Sequence, residues 1–296
     1  MFQCKQGTSK GNQMKAILAA AGAAIALCAS PAAAQEADEI AAASGNAEPT
    51  VFDGDWLSVG AGVIYGPSYR GSDDYVFSPI PVVQGNLGGV GISPRAGGIA
   101  LDFIPDRDGE VSFSAGIAAK LSRNRAAQIK DPVVRSYGEL ETAIEVGPSA
   151  GVSVPALLNP YDSLSFNIDA VWDVAGAHNG MSVNPSITYF TPLSRGIAVS
   201  LSVSAKHIDD DFADYYYSVP AGGPLPEFQA EGGFESAGVN LLGVFDLDGD
   251  VTNGGLALIA LGGYSRMLGD AKRTPFTSIR GDADQWMGAV GVGYTF

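Results

Sequence analysis

Cysteine is almost missing from this chain: Cys4 and Cys28 are the only two, and both lie near its start. The rest of the sequence can hold no disulfide framework and no thiolate metal site. Histidine is as scarce, with only His178 and His207, which leaves little material for a histidine metal centre or a hydrolytic triad. Basic residues are few: 17 Lys and Arg stand against 32 Asp and Glu, a formal charge of −15. That balance disfavours nucleic acid and anionic surfaces as partners and favours cations and basic partners. No run of apolar residues long enough for a membrane helix follows the first 34 residues. What is abundant is glycine, 39 residues, while charged residues make up only 17%. A Gly-rich acidic chain without helical spans reads as all-β, either a soluble sandwich or an outer-membrane barrel.

The start of the chain selects the compartment. Met14-Lys15 precedes an apolar run from Ala16 to Cys28, then Ser30-Pro31 and Ala32-Ala33-Ala34-Gln35. A basic n-region, a short apolar h-region and an A-x-A site form a secretory signal peptide. Residues 1–34 are therefore expected to be removed, with Met14 a candidate true start. Leu27 is too large for the position before a lipidated cysteine, which disfavours a lipoprotein. Cleavage removes Lys5, Lys10 and Lys15 and no acid, leaving 14 basic against 32 acidic residues, a net −18. Residues 35–54 read as a short periplasmic arm and 55–296 as the folded body.

Period-2 alternation runs through that body. Ile197, Val199, Leu201, Val203 and Ala205 alternate with Ala198, Ser200, Ser202, Ser204 and Lys206. Leu164 to Val174 and Ile144 to Val154 repeat the pattern, and each segment has about the length that crosses a bilayer when tilted. A soluble sandwich would turn a mostly charged face to water. Here the second face is Ser, Gly, Asn and isolated charges, which suits a narrow lumen. The last residues alternate Trp286, Val290, Val292, Tyr294 and Phe296 with small side chains. That strand is stable with one face in lipid, and Tyr294 with Phe296 forms a candidate insertion signal for the barrel assembly machinery. Short connections (191–196, 246–250, 104–109) alternate with long ones (122–137, 208–233, 269–284), the rule for periplasmic turns and outer loops. A break at Ser93-Pro94-Arg95-Ala96-Gly97 makes the strand count even. The expectation is a transmembrane antiparallel β-barrel of about twelve strands, or ten if the two short strands flanking that break do not form.

Three blocks carry a family resemblance. The first runs from Asp55-Trp56 through Tyr65-Gly66-Pro67-Ser68-Tyr69-Arg70-Gly71-Ser72-Asp73 to Tyr75 and Pro79-Ile80-Pro81. The second is Gly263-Tyr264-Ser265-Arg266-Met267-Leu268-Gly269-Asp270-Ala271, then Thr274-Pro275, where Thr274 departs from a usual serine. The third is Gln285, Gly288 and Gly291 to Phe296. Together they resemble the MipA/OmpV family of outer-membrane proteins over residues 52–296. The resemblance implies an outer-membrane barrel without enzymatic activity or cofactor. It also implies a scaffold joining a membrane-bound lytic transglycosylase to a peptidoglycan synthase, with adhesion ascribed to other members.

The candidate sites are weighed on their residues. The loop with Tyr65, Pro67, Tyr69, Gly71, Ser72 and Asp73 offers a partner contact, but reads more simply as a loop fold with Arg70 paired to Asp73 or Asp74. Arg266, Gly269 and Asp270 open the last outer loop, where Lys272, Arg273 and Arg280 could meet lipopolysaccharide phosphates. Asp209, Asp210, Asp211 and Asp214 are a weak candidate for a hard cation; a solvated acidic loop with Tyr215 to Tyr217 in the interfacial belt is favoured. Asp246, Asp248 and Asp250 open like an EF-hand, yet Ala257 stands where its glutamate belongs, so the segment is a polar turn. His178 has no hydroxyl nearby except Ser182, and no residue merits a catalytic role. Lys120, Glu145, Asp169, Asp173 and Lys206 face inward, either lining a cation-preferring pore or closing it with ion pairs.

Overall fold

The computed structural model describes residues 50–105 and 110–296. The expected signal peptide and most of the arm fall outside the described residues, as do 106–109 in the 104–109 turn. Twelve antiparallel strands close on themselves, each bonded to its sequence neighbours and the last to the first. They are β1 (Trp56–Pro67), β2 (Tyr75–Leu87), β3 (Val90–Arg95), β4 (Gly98–Asp102), β5 (Ser112–Ser122), β6 (Ala143–Pro155), β7 (Ser163–Asp173), β8 (Met181–Ser194), β9 (Ile197–Ile208), β10 (Gly233–Asp246), β11 (Gly255–Met267) and β12 (Asp284–Thr295). Closure leaves no free sheet edge at the seam, as lipid requires. No helix among the described residues is long and apolar enough to cross a membrane.

Alternation sets the two faces. On β9 and β10, Val203 faces Val239 and Leu201 faces Leu241 across the ladder, and all four are exposed on the outside. The opposite phase carries hydroxyls toward the lumen, and these pair across strands: Thr188 with Ser202 at 2.8 Å, Ser153 with Ser165 at 2.9 Å, Ser58 with Thr295 at 2.6 Å. The terminal strand behaves as its sequence implies. Val290, Val292 and Tyr294 face outward opposite Val63, Ala61 and Val59 of β1. Tyr294 and Phe296 lie 4.7 Å apart at its end.

The turn expected within 93–97 sits at Ala96-Gly97, with Gly97 at φ +78 as a tight turn needs. The strands beside it are short, 6 and 5 residues against 13 in β2. Both nonetheless form, which makes the count twelve. The turn after β10 is closed by Asp246, whose carboxylate accepts the backbone amides of Asp248, Gly249 and Asp250. Its acids thus hold the turn.

Candidate functional site

The long connections do not extend into solvent. Four of them fold onto one another across one end of the barrel. The segment after β9 is a helix, α2 (Asp210–Tyr217), following the single helical turn α1 (Pro132–Arg135) between β5 and β6. After β11 come α3 (Gly269–Arg273) and α4 (Pro275–Ser278). Phe212, Ala213, Tyr216 and Tyr217 form the buried face of α2 and pack with Ile208, Ala230, Met267 and Ala271. A second cluster joins Tyr69, Ile129, Val134, Val219, Leu225 and Phe276 from all four connections. The Tyr69 hydroxyl donates to the carbonyls of Phe276 at 3.1 Å and Arg280 at 3.2 Å, and Thr274 Oγ1 donates to the Tyr217 carbonyl at 2.6 Å.

This corrects the expectation of a solvated acidic loop at 208–233. Asp209 caps α2, one oxygen accepting from Phe212 N at 3.0 Å and the other from Met181 N at 2.8 Å. Asp210 accepts from Gly232 N and Asp214 from the Gln229 amide, while Asp211 is exposed. These acids point at separate backbone and amide donors. Among the described residues no three His, Cys, Asp or Glu side chains converge on a common point. Tyr216 and Tyr217 are buried in the cap and are not in an interfacial belt. Burial pushes the Tyr216 hydroxyl up to about 12.

The family-motif residues hold this cap together. Tyr65 and Pro67 end β1, so the loop itself is Ser68 to Asp74. Gly71 adopts φ +90, and a Cβ there would lie 2.2 Å from Thr277 Oγ1. Its amide donates to Gln285 Oε1 at 3.2 Å, and Gln285 donates back to the Ser72 carbonyl at 3.0 Å. Ser72 and Gly281 form an isolated bridge between the first and last connections, whereas Asp73 is exposed. Gly269 opens α3 at φ +48, and Asp270 pairs with Arg273. Arg266 bonds Asp284 at 2.8 Å on the neighbouring strand. Arg280 is paired to Asp131 at 2.5 Å. Arg280 is thus engaged in a pair that joins two connections, whereas Lys272 and Arg273 lie exposed at the surface of the cap.

Beneath the cap the lumen is crossed by ion pairs. Arg70 does not pair with Asp73 or Asp74 as its position suggested; it reaches the fully buried Glu235. A bulge between Phe234 and Ser236 leaves Glu235 without a partner on β9 and turns it inward. Glu235 also accepts the Tyr217 hydroxyl at 2.6 Å and lies 3.7 Å from Lys206 Nζ. The Lys206 ammonium sits 4.0 Å from the centre of the Phe212 ring, so α2 rests directly on a lumen cation. Farther along, Asp169 binds Lys120 at 3.0 Å, Arg95 at 3.2 Å and Ser149 at 2.8 Å. Asp173 instead accepts the amides of Ala175, His178 and Asn179.

Glu145, His178 and Ser182 also come together, all buried. The order is not that of a hydrolytic triad, because the acid sits in the middle. Ser182 Oγ donates to Glu145 Oε2 at 3.2 Å, and His178 Nε2 faces Glu145 Oε1 at 3.4 Å. His178 Nδ1 accepts the Gly180 amide at 3.0 Å, so its lone pair is used and the imidazole does not face the hydroxyl.

Sequence reasoning missed Glu235 and the cap helix. An aspartate cap followed by apolar residues at 212, 213, 216 and 217 is helical spacing and could have revealed α2. The bulge that aims Glu235 leaves no comparable signal.

In fold, the chain is similar to solved outer-membrane proteins. The outer membrane channel of Pseudomonas putida F1 is 14% identical with a TM-score of 0.43, covering 86% of this chain and 98% of that one. The outer membrane protein OprD of Pseudomonas aeruginosa is 12% identical with a TM-score of 0.32, covering 83% and 66%. The Pseudomonas putida toluene transporter TodX is 9% identical with a TM-score of 0.34, covering 85% and 93%. No curated protein matches the chain in sequence. A family model does match it, over residues 59–296, and the chain belongs to that family, described as MltA-interacting protein MipA.

Proposed function

We propose that this protein is a non-enzymatic interaction barrel of the outer membrane. In this reading it is exported with cleavage after Ala34 and inserted by the barrel assembly machinery, which reads Tyr294 and Phe296. It anchors peptidoglycan-remodelling enzymes, a lytic transglycosylase and a murein synthase, at the membrane that holds it. The observation that carries the reading is the packed cap of four connections over a lumen crossed by ion pairs. A barrel blocked in this way acts through its surfaces. The turns opposite the cap carry Asp53, Asp55, Asp102, Asp246, Asp248 and Asp250, which complement a basic partner face. The test is co-purification of the full-length barrel with a lytic transglycosylase shown to be competent. Retention at moderate salt supports the scaffold, and a clean absence of binding removes it.

A narrow channel is the second reading, favoured by the hydroxyl-lined lumen face of β7 to β9. Its cation preference is weakened by the pairing of Asp169 and Glu235 with Arg70, Arg95, Lys120 and Lys206. Discrete conductance in a planar bilayer would favour it over the scaffold.

A further inference from the structure

The barrel closes between β2 and β3 over only a short stretch. Strand β2 runs from Tyr75 to Leu87 and pairs with β1 over almost its whole length. Toward β3 it pairs only at Gly85, Asn86 and Leu87. Among the described residues no strand pairs with that edge from Val76 to Gln84, because the β3–β4 hairpin turns at Ala96-Gly97, short of the upper end of β2. The hairpin tip stays in the wall, where Gly97 accepts the Leu121 amide of β5 at 2.9 Å, and the Arg95 side chain crosses to Asp169 on β7.

An open edge in lipid is costly unless its donors are removed or covered. Leu87 and Val90 flank a two-residue hairpin turn at Gly88-Gly89 and form its hydrogen-bonded pair. Alternation then aims the amides of the odd-numbered residues of β2 at the free edge. Two of those residues are Pro79 and Pro81, which have no N–H to leave unsatisfied. Phe77 and Val83 keep theirs, so the prolines halve the donors along this stretch of edge.

At the upper end of this edge lies a cavity of about 540 Å³, open to the outside. Tyr65, Tyr75 and Phe77 form its apolar floor, and Gln128, Lys130 and Arg135 its rim, with no acid among the lining residues. The three rings touch, at 5.4 Å and 4.7 Å between centroids, and Phe77 is 69% exposed. Lys130 spends one proton on the Tyr75 carbonyl. Arg135 uses Nε and one terminal nitrogen on the Ile129 carbonyl, leaving its other nitrogen free to bond. Two exposed cations above an aromatic floor stand out in a chain of net charge −15.

The geometry points to a binding site for a phosphorylated, multiply acylated lipid of the surrounding leaflet. Its phosphate lies against Lys130 and Arg135, and one acyl chain runs down Tyr65, Phe77 and the Pro79–Pro81 edge. The charge complements phosphate, the depth matches the membrane interface where aromatic rings collect, and the two prolines leave fewer donors facing hydrocarbon than an ordinary strand edge. The inference rests on the outer-membrane reading above, but its test does not. Localisation is decided separately, by membrane fractionation.

The test uses the full-length barrel in non-ionic detergent, with lipid A as probe and native mass spectrometry counting bound lipid. Lysyl and arginyl contacts to phosphate are charge-assisted, so the double variant Lys130→Gln/Arg135→Gln should weaken lipid A binding by about tenfold or more. Phosphate-free lipid A should lose the same factor on the wild-type barrel, and inorganic phosphate in large excess should fail to compete. Heat-modifiable gel migration checks the fold. If the double variant does not fold, Lys130→Gln and the exposed Phe77→Ser, tested singly, should each weaken binding. Equal binding by the folded variants and wild type would overturn the site. So would equal affinity for phosphate-free lipid, or displacement by inorganic phosphate.

Discussion

Replacing Glu235 by alanine should both destabilise the barrel and loosen its cap. The carboxylate is fully buried, accepts the Tyr217 hydroxyl at 2.6 Å, and faces Arg70 and Lys206. Removing one partner of a buried ion pair costs about 3–5 kcal/mol, because the remaining charge is left without compensation. The Arg70 side chain is 42% exposed and recovers water, so its share is discounted. Lys206 is only 10% exposed and keeps only the Phe212 ring and the more distant Glu145 carboxylate. The lower end of the range applies, about 3 kcal/mol, or roughly a hundredfold in the unfolding equilibrium. Urea titration of the barrel in lipid vesicles, followed by tryptophan fluorescence, reads this directly. Glu235→Gln should lose less, since the amide still accepts from Tyr217. Pairing Glu235→Leu with Lys206→Met should recover much of the loss by removing the stranded ammonium. A loss below about 1 kcal/mol for Glu235→Ala would mean that the network does not brace the cap.

Three further outcomes test separate parts of the account. Gly71→Ala should lower the unfolding free energy by at least roughly the 1–3 kcal/mol typical of a left-handed non-glycine residue, since a Cβ there also meets Thr277; an unchanged urea midpoint would contradict the observed loop. Asp209→Ala should cost about 0.5–2 kcal/mol through loss of the α2 cap, and should speed protease cleavage within 209–232. Burial raises the Asp131 carboxyl, but bonds from Arg280 and the amides of Val134 and Val133 outweigh it and hold it below the ordinary carboxylate value. A carboxyl lowered in the folded state stabilises above its unfolded value, about 3.9, and that contribution fades as pH falls through the folded value. Pepsin cleavage in 123–142 should therefore rise steeply on acidification in the wild type. It should be high and less pH-dependent in Asp131→Asn.

Much of the barrel could be read from residues, and the reason is periodicity. A strand between lipid and lumen has two faces in unlike solvents, so Ile197 to Lys206 and Trp286 to Phe296 display their geometry in their alternation. The hairpin at Ala96-Gly97 was legible because an even strand count demanded it. The shortness of β3 and β4 was legible too, from the little chain on either side of the break; what was not legible is that β2 runs on past the turn without a partner. The cap was hidden for a different reason. Its contacts join residues far apart in the chain, such as Tyr69 with Phe276 or Arg70 with Glu235, and no local pattern encodes them. Acids at 209–214 followed by three tyrosines resemble a wet loop beside a membrane belt, and only their burial distinguishes the two. Charges near in sequence were equally misleading: Arg70 lies beside Asp73 and Asp74, yet its partner is brought to it by a bulge in β10.

Whether the barrel is closed is the claim on which the interaction reading rests, and planar-bilayer recording tests it most directly. The account predicts that the wild-type protein is electrically silent, and that Glu235→Ala or removal of 210–231 produces discrete openings. Steady, discrete conductance from the wild type would contradict it.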